Sequence, residues 1–221
     1  ENLLLYYPFD ERDGSDVQDY SPNMRNAQIL NANLNTDGKF GGSGVDFDSI
    51  DPINAKVELP KGNPFEVNGK EWTISTWFLA PLTDEGTFFR HTLTSDYSGF
   101  SAAFSTRSSP KQLVFSYNSN NIDTGYFSDS LIVGWNHLVM ISSPEGTNFY
   151  VNGIKVSELS QSINLRIETI GNSIGGNDKF APKLDDFRVY GRTLSDGDAL
   201  DLYGNGSGDF GIHPYQDYPP S

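Results

Sequence analysis

Short runs of β-branched, aromatic and leucine residues, five to eight long and closed by glycine, proline, asparagine or aspartate, recur along the chain. No stretch sustains the 3.6-residue apolar repeat of an amphipathic helix, so helices cannot build the core. Strands are predicted over 3–9, 27–30, 44–47, 55–58, 72–79, 86–94, 99–105, 112–117, 137–142, 147–151, 154–158, 169–174 and 183–189. Alternation is plain in two of them. Phe100, Ala102 and Phe104 share one face against Ser101, Ala103 and Ser105, and Leu113, Phe115 and Tyr117 oppose Gln112, Val114 and Ser116, which gives each strand one wet face. Asn152-Gly153 separates two such runs and favours a type I′ hairpin, because both residues tolerate positive φ. One short helix is expected over 195–203, with Ser195 as its cap and Gly204 as its stop. So many short alternating strands predict an all-β fold, a two-sheet antiparallel β-sandwich of jelly-roll or related Greek-key type.

At 221 residues the chain is long enough for one large β domain, expected over 1–204. Beyond it the composition turns to GNGSGDFG and then HPYQDYPPS. That end, 205–221, reads as a loop and a Pro-rich linker to a neighbouring domain. A formal net charge of −14 argues against nucleic acid and anionic membranes, which are bound through dense Lys and Arg. An acidic surface instead suits cations and neutral ligands such as sugars. With no cysteine, a disulfide framework and a thiolate metal site are both excluded. No apolar run approaches a membrane span, and the N-terminus lacks a basic-then-apolar signal. Membrane insertion is therefore not expected, and the abrupt start in LLLYYPF reads as a piece excised from a larger protein.

The segment FDERDGSDVQDYS places aspartates at 10, 13, 16 and 19, one every third residue. Asp-Gly and Ser-Asp pairs make turns through Asx hydrogen bonds, and this accounts for Asp13 and Asp16. A cation site is the alternative. It is not an EF-hand, because the loop lacks the D-x-D-x-D-G register and the closing glutamate, so other parts of the chain must complete it.

LLLYYPFDERDGSDVQDYS, GKFGGSGVDFDS, WTISTWF, GWNHLVMISSPEGTNFYVNGIKV and LDDFRVYGRTLSDGDALDLYG together resemble the laminin-G-like jelly rolls of the concanavalin A-like lectin and glucanase superfamily. Their order and spacing span residues 3–203. The resemblance implies a structural calcium where the first strand, an early strand and the last strand converge, with Asp10, Asp19 and Asp186 as side-chain ligands and Gly44 offering a carbonyl. Calcium takes six to eight hard oxygens from such mixtures. The competing reading has Asp185 and Asp186 capping an edge or pairing with Arg188 or Arg192. Trp72, Trp77, Trp135, Phe149, Phe187 and Tyr190 are expected as core aromatics, and His137 as a structural histidine.

The resemblance also raises enzymatic functions, glycoside hydrolase or polysaccharide lyase. The Glu-x-Asp-x-x-Glu pattern of the glucanases is absent, and no glutamate has a carboxylate partner two or four positions away in an evident strand. Arg90 and His91 are the one cluster suited to lyase chemistry, and neighbours in a strand face opposite ways. A non-catalytic role is expected. Sugars are held by rings stacked on C–H faces with amides and carboxylates on the hydroxyls, and YNSNNIDTGY offers that mixture in a long turn. The candidate ligand-binding residues are Tyr97, Arg107, Tyr117, Asn120, Asp123 and Tyr126. The leading expectation is an extracellular or cell-surface, lectin-like carbohydrate-binding module with calcium. Its partners would be a polysaccharide or cell-surface glycan and other domains of the parent chain. A protein-binding or structural spacer domain of an adhesin-like protein is the alternative.

Overall fold

A computed structural model describes residues 2–11, 14–35, 37–82, 90–95, 101–105, 110–117 and 120–204. In chain order the strands are β1 (Leu3–Tyr7), β2 (Asp16–Val17), β3 (Ala27–Leu30), β4 (Asn33–Asn35), β5 (Gly44–Asp46), β6 (Lys56–Glu58), β7 (Phe65–Val67), β8 (Trp72–Ala80), β9 (Arg90–Thr92) and β10 (Thr94–Ser95). They continue as β11 (Ser101–Ser105), β12 (Gln112–Tyr117), β13 (Asn120–Phe127), β14 (Gly134–Ser143), β15 (Gly146–Val151), β16 (Ile154–Leu159), β17 (Leu165–Ile167), β18 (Thr169–Ile170) and β19 (Lys183–Tyr190). One α-helix, α1, covers Asp196–Tyr203.

Among the described residues the largest sheet has eight strands in the order β16-β15-β14-β8-β19-β5-β4, with β1 also on β19. Against it lie a five-stranded sheet, β10-β18-β6-β3-β2, and a four-stranded sheet, β13-β12-β11-β9, with β7 paired to β17. Every pairing is antiparallel, and one core joins the inner faces: Ile74, Phe78, Met140 and Leu184 from the large sheet meet Ile29, Val57, Leu113 and Phe115 from the others. The sandwich and most strand positions match the reading of the sequence. The short strands β2, β4, β7 and β17 fall outside the predicted ranges, and so does β13, which occupies the predicted long turn. Its polar residues suit an edge strand, while Ile122 and Tyr126 pack on the core.

The hairpin forms on Asn152 and Gly153, at φ +51° and +77°, as their tolerance of positive φ dictates. Ser195 caps α1 in a capping box with Asp198, and Gly204 ends the helix in the left-handed conformation. Ala199 and Leu202 of α1 bury against Val139, Ile141, Tyr150 and Leu194. This second cluster covers the outer face of the large sheet, so that sheet is dry on both sides over much of its area. β12 departs from its predicted wet face as well: Val114 and Ser116 are fully buried. No helix among the described residues is long and apolar enough to cross a membrane.

Candidate cation pocket and binding surfaces

Asp19 is a brace inside the fold. Its Oδ1 accepts hydrogen bonds from the backbone N–H of Tyr6 (2.9 Å) and Ser21 (2.8 Å), and its Oδ2 accepts from Ser21 Oγ (2.9 Å) and the Arg25 N–H (2.8 Å). Those four donors fill the roughly four lone-pair sites of a carboxylate. Asp19 thus ties β1 to the turn after β2 and is removed from the expected cation ligands. Asp186 is likewise committed. It stands at φ +52° in the irregular register of β19, and its Oδ1 lies 3.1 Å from both Nε and Nη2 of Arg188. Both residues are buried, and the guanidinium sits 4.8 Å from the Tyr6 ring centroid. Pairing with Arg188 is the reading that holds for Asp186.

The neighbouring Asp185 was expected only to cap an edge or pair with an arginine, not to serve as a ligand. It is 2% exposed; Oδ2 accepts the Lys39 N–H at 2.7 Å, and Oδ1 has no hydrogen-bond partner. Burial, then the charges of Asp186 and Asp10, push its carboxyl well above the usual carboxylate range. The glycines of GKFGGSG explain the crowding here. A Cβ on Gly42 would overlap Asp10 Oδ1, and one on Gly38 would overlap the Ser43 carbonyl and come within 3.0 Å of Asp185 Oδ2. Only a bare backbone fits between the two carboxylates, and Gly44 lies beside Gly38 on β5. Among the described residues no group of three or more His, Asp or Glu side chains converges for a metal. Two carboxylates, one with an orphaned buried oxygen, beside a turn rich in carbonyls still fit a hard-oxygen cation.

His137 lies next to this pocket on the same outer face. Its Nε2 is 2.8 Å from Ser75 Oγ, and its ring packs at 4.8 Å on Trp77, which stacks in turn on Tyr203 of α1 at 5.8 Å. Phe40 meets Trp77 edge-on at 5.9 Å, and Lys39 Nζ sits 4.4 Å from the Trp77 centroid. Burial, then the charges of Arg188 and Lys39, lower the His137 pKa to about 3. The imidazole is a neutral core group, as expected.

The candidate ligand residues separate. Tyr97 and Arg107 lie outside the described residues. Tyr117 ends β12 opposite Asn120, and its side chain is also outside them. Asn120 and Asp123 are exposed along β13. Tyr126 is turned away, because an irregularity in the pairing of β13 with β12, with Gly125 at φ +81°, directs its ring onto the core. Burial raises its pKa. Tyr126→Ala should lower stability by about 1–3 kcal/mol, as measured in urea, for the apolar area it removes, and leave glycan affinity unchanged. Trp135 and Tyr190 correct the list of core aromatics: Trp72, Trp77, Phe149 and Phe187 are buried, whereas Trp135 and Tyr190 are half-buried.

Glu58 and Glu168, far apart in sequence, line one groove of about 170 Å³ with Lys61 and Thr169. Glu168 Oε1 is held by Arg166 through Nε (3.2 Å) and Nη2 (2.7 Å), which keeps it an ion-pair partner. Arg90 and His91 fall on β9, opposite Ser105 and Phe104, and their side chains lie outside the described residues.

Residues 51–199 match the family profile of the concanavalin A-like lectin/glucanases superfamily, laminin G type. No curated protein sequence matches the chain. Among solved structures it is similar to domain 4 of AbnA, an extracellular arabinanase of Geobacillus stearothermophilus solved with arabinotriose. The TM-score is 0.68 at 18% identity, over 91% of this chain and 98% of that one. It is also similar to Trypanosoma rangeli sialidase solved with 2,3-difluorosialic acid, with TM-score 0.61 at 15% identity, over 91% of this chain and 33% of that one. The binding domain of Paraclostridial Mosquitocidal Protein 1 gives TM-score 0.60 at 18% identity, over 91% and 52%. Profile, sheet order and the packing of both sheet faces agree, and the chain belongs to the concanavalin A-like lectin/glucanase superfamily.

Proposed function

We propose that this chain is a non-catalytic carbohydrate-binding module of an exported multidomain protein, folded around a structural calcium ion. The observation that carries the binding role is the similarity to AbnA domain 4 over nearly the full length of both chains, that neighbour having been solved with arabinotriose. The acidic composition supports a neutral ligand. For calcium, Asp10 and Asp185 would supply the carboxylates and the 38–43 turn the carbonyls. The ion would balance the buried Asp185 and the half-buried Asp10 and pin the turn to β19.

A glycan array on the folded protein, run with calcium and with chelator, tests the binding role. Binding of a saccharide is the expected result; a clean negative would leave a protein-binding or spacer domain. Thermal melting tests the ion separately. Calcium should raise the wild-type melting temperature, since a ligand of the native state alone stabilises it by mass action. Asp185→Asn should abolish that rise and be the more stable protein in chelator, because it removes an uncompensated buried charge. An undiminished calcium response in the variant would rule Asp185 out as a ligand.

A further inference from the structure

The register of the large sheet sets five side chains in a row across its outer face. Trp135 on β14 pairs with Leu79 on β8, the register of β8 with β19 carries that row to Lys183, Lys183 pairs with Asp46 on β5, and Asp46 with Asn33 on β4. The row one step inward along β14, β8 and β19 holds His137, Trp77 and Asp185, all buried under α1 and the 38–43 turn. The outermost row is different in kind: Trp135, Leu79, Lys183 and Asp46 are half-buried and Asn33 is exposed. Four strand spacings make it roughly 19 Å long.

We infer that this row is the carbohydrate site, and that it takes a neutral, extended oligosaccharide lying across the strands. The inference rests on the carbohydrate-binding reading above. A half-buried indole such as Trp135 is the side chain that stacks on the C–H face of a sugar. Trp135 reaches over the sheet rather than away from it: its Cη2 lies 3.7 Å from where a Cβ on Gly44 would stand. Beyond the ring the row presents an aliphatic side chain, an ammonium, a carboxylate and an amide, a donor and acceptor set suited to hydroxyls. Lys183 Nζ stands 3.6 Å from Asp37 Oδ2, and Asp46 Oδ1 accepts the Asp48 N–H at 2.9 Å. The positive charge is thus balanced locally, which favours a neutral sugar over an anionic one. A row this long exceeds one monosaccharide.

The backbone that carries the ring is also fixed before any ligand arrives. Buried Asn136 accepts the Ile132 N–H at 3.1 Å and donates to the Ile132 and Gly134 carbonyls at 2.8 and 3.1 Å. Asn152 of the hairpin donates to Asn136 Oδ1 at 2.9 Å and accepts the His137 N–H at 2.8 Å. Trp135 leaves the sheet between these clamps, so little ordering of its backbone remains to be done on binding.

The test is calorimetric titration of wild type, Trp135→Ala, Lys183→Ala and Asp123→Ala with arabinotriose, xylotetraose, cellotetraose and sialyllactose. Trp135→Ala should weaken binding of a neutral oligosaccharide roughly tenfold or more, as loss of a ring anchor does, with Asp123→Ala unchanged. Protection of Trp135 from N-bromosuccinimide oxidation by the same sugar, read by peptide mass spectrometry on wild type, should accompany it and needs no variant to fold. Equal affinity of Trp135→Ala and wild type with no protection, or loss of binding in Asp123→Ala instead, would overturn this site while leaving the carbohydrate reading intact. Binding of sialyllactose alone would overturn the neutral ligand class. Absence of any glycan bound by folded wild type, here and on the array, would overturn the carbohydrate reading and the site with it.

Discussion

Replacing Gly171 by alanine should cost about 2–5 kcal/mol of unfolding free energy. Gly171 stands at φ +82°, where a Cβ costs roughly 1–2 kcal/mol, and that Cβ would overlap the ring of Phe47. Phe47 is fully buried and has nowhere to withdraw in a close-packed interior, which adds about 1–3 kcal/mol. The backbone is fixed too: Gly171 donates to the Leu93 carbonyl at 2.6 Å and accepts the Phe180 N–H at 2.8 Å. These bonds set the loop that delivers β19, and with it Lys183 and Asp185, to the outer face. Urea unfolding of the variant measures the loss. A change below about 1 kcal/mol, the range of ordinary surface substitutions, would mean that Phe47 yields without strain.

Acid should destabilise the domain through His137. Its pKa is about 3 in the folded chain against an ordinary value of 6.5, so below pH 6.5 the unfolded chain binds a proton that the native chain refuses. Stability from this residue is full above about pH 6.5 and is lost as pH falls toward 3, at up to ~1.4 kcal/mol per pH unit. Between pH 6.5 and 5 the loss approaches about 2 kcal/mol. The carboxylates contribute their own slopes, so the informative quantity is the difference between wild type and His137→Gln, whose side chain does not titrate. Urea midpoints at the two pH values give it. Parallel pH dependences in the two proteins would place the acid sensitivity elsewhere.

The first prediction concerns the core between the sheets, where Phe47 is packed, and the second the outer face of the large sheet. There His137, Trp77 and Asp185 sit in one cross-strand row under Tyr203, Phe40 and Lys39. A polar row of this kind is tolerated in the interior because each group gains a ring, a hydroxyl or a backbone donor. Trp77 Nε1, His137 Nδ1 and Asp185 Oδ1 have no hydrogen-bond partner, and of these the acidic oxygen is the place where a cation would act.

Local chemistry in the chain determined the strands, the Asn152-Gly153 hairpin, the Ser195 cap and the superfamily resemblance. Turn residues and period-2 alternation act within a few positions, so they can be read in order along the sequence. The aspartate repeat was legible as a pattern but not as a set of roles. Asp19 and Asp10 look alike in sequence, yet one is saturated by four donors from β1 and its own turn while the other faces Gly42. Asp185 and Asp186 are neighbours, and a left-handed residue in β19 sends one to Arg188 and the other toward Lys39 and Asp10. Trp135 reads like Trp72 and Trp77 until the register shows that its row lies at the open margin of the sheet. Only the tertiary structure decided these roles, because burial, lone-pair saturation and cross-strand neighbours come from segments far apart in the chain, 146 positions in the Lys39–Asp185 bond. No local propensity encodes a contact over that distance.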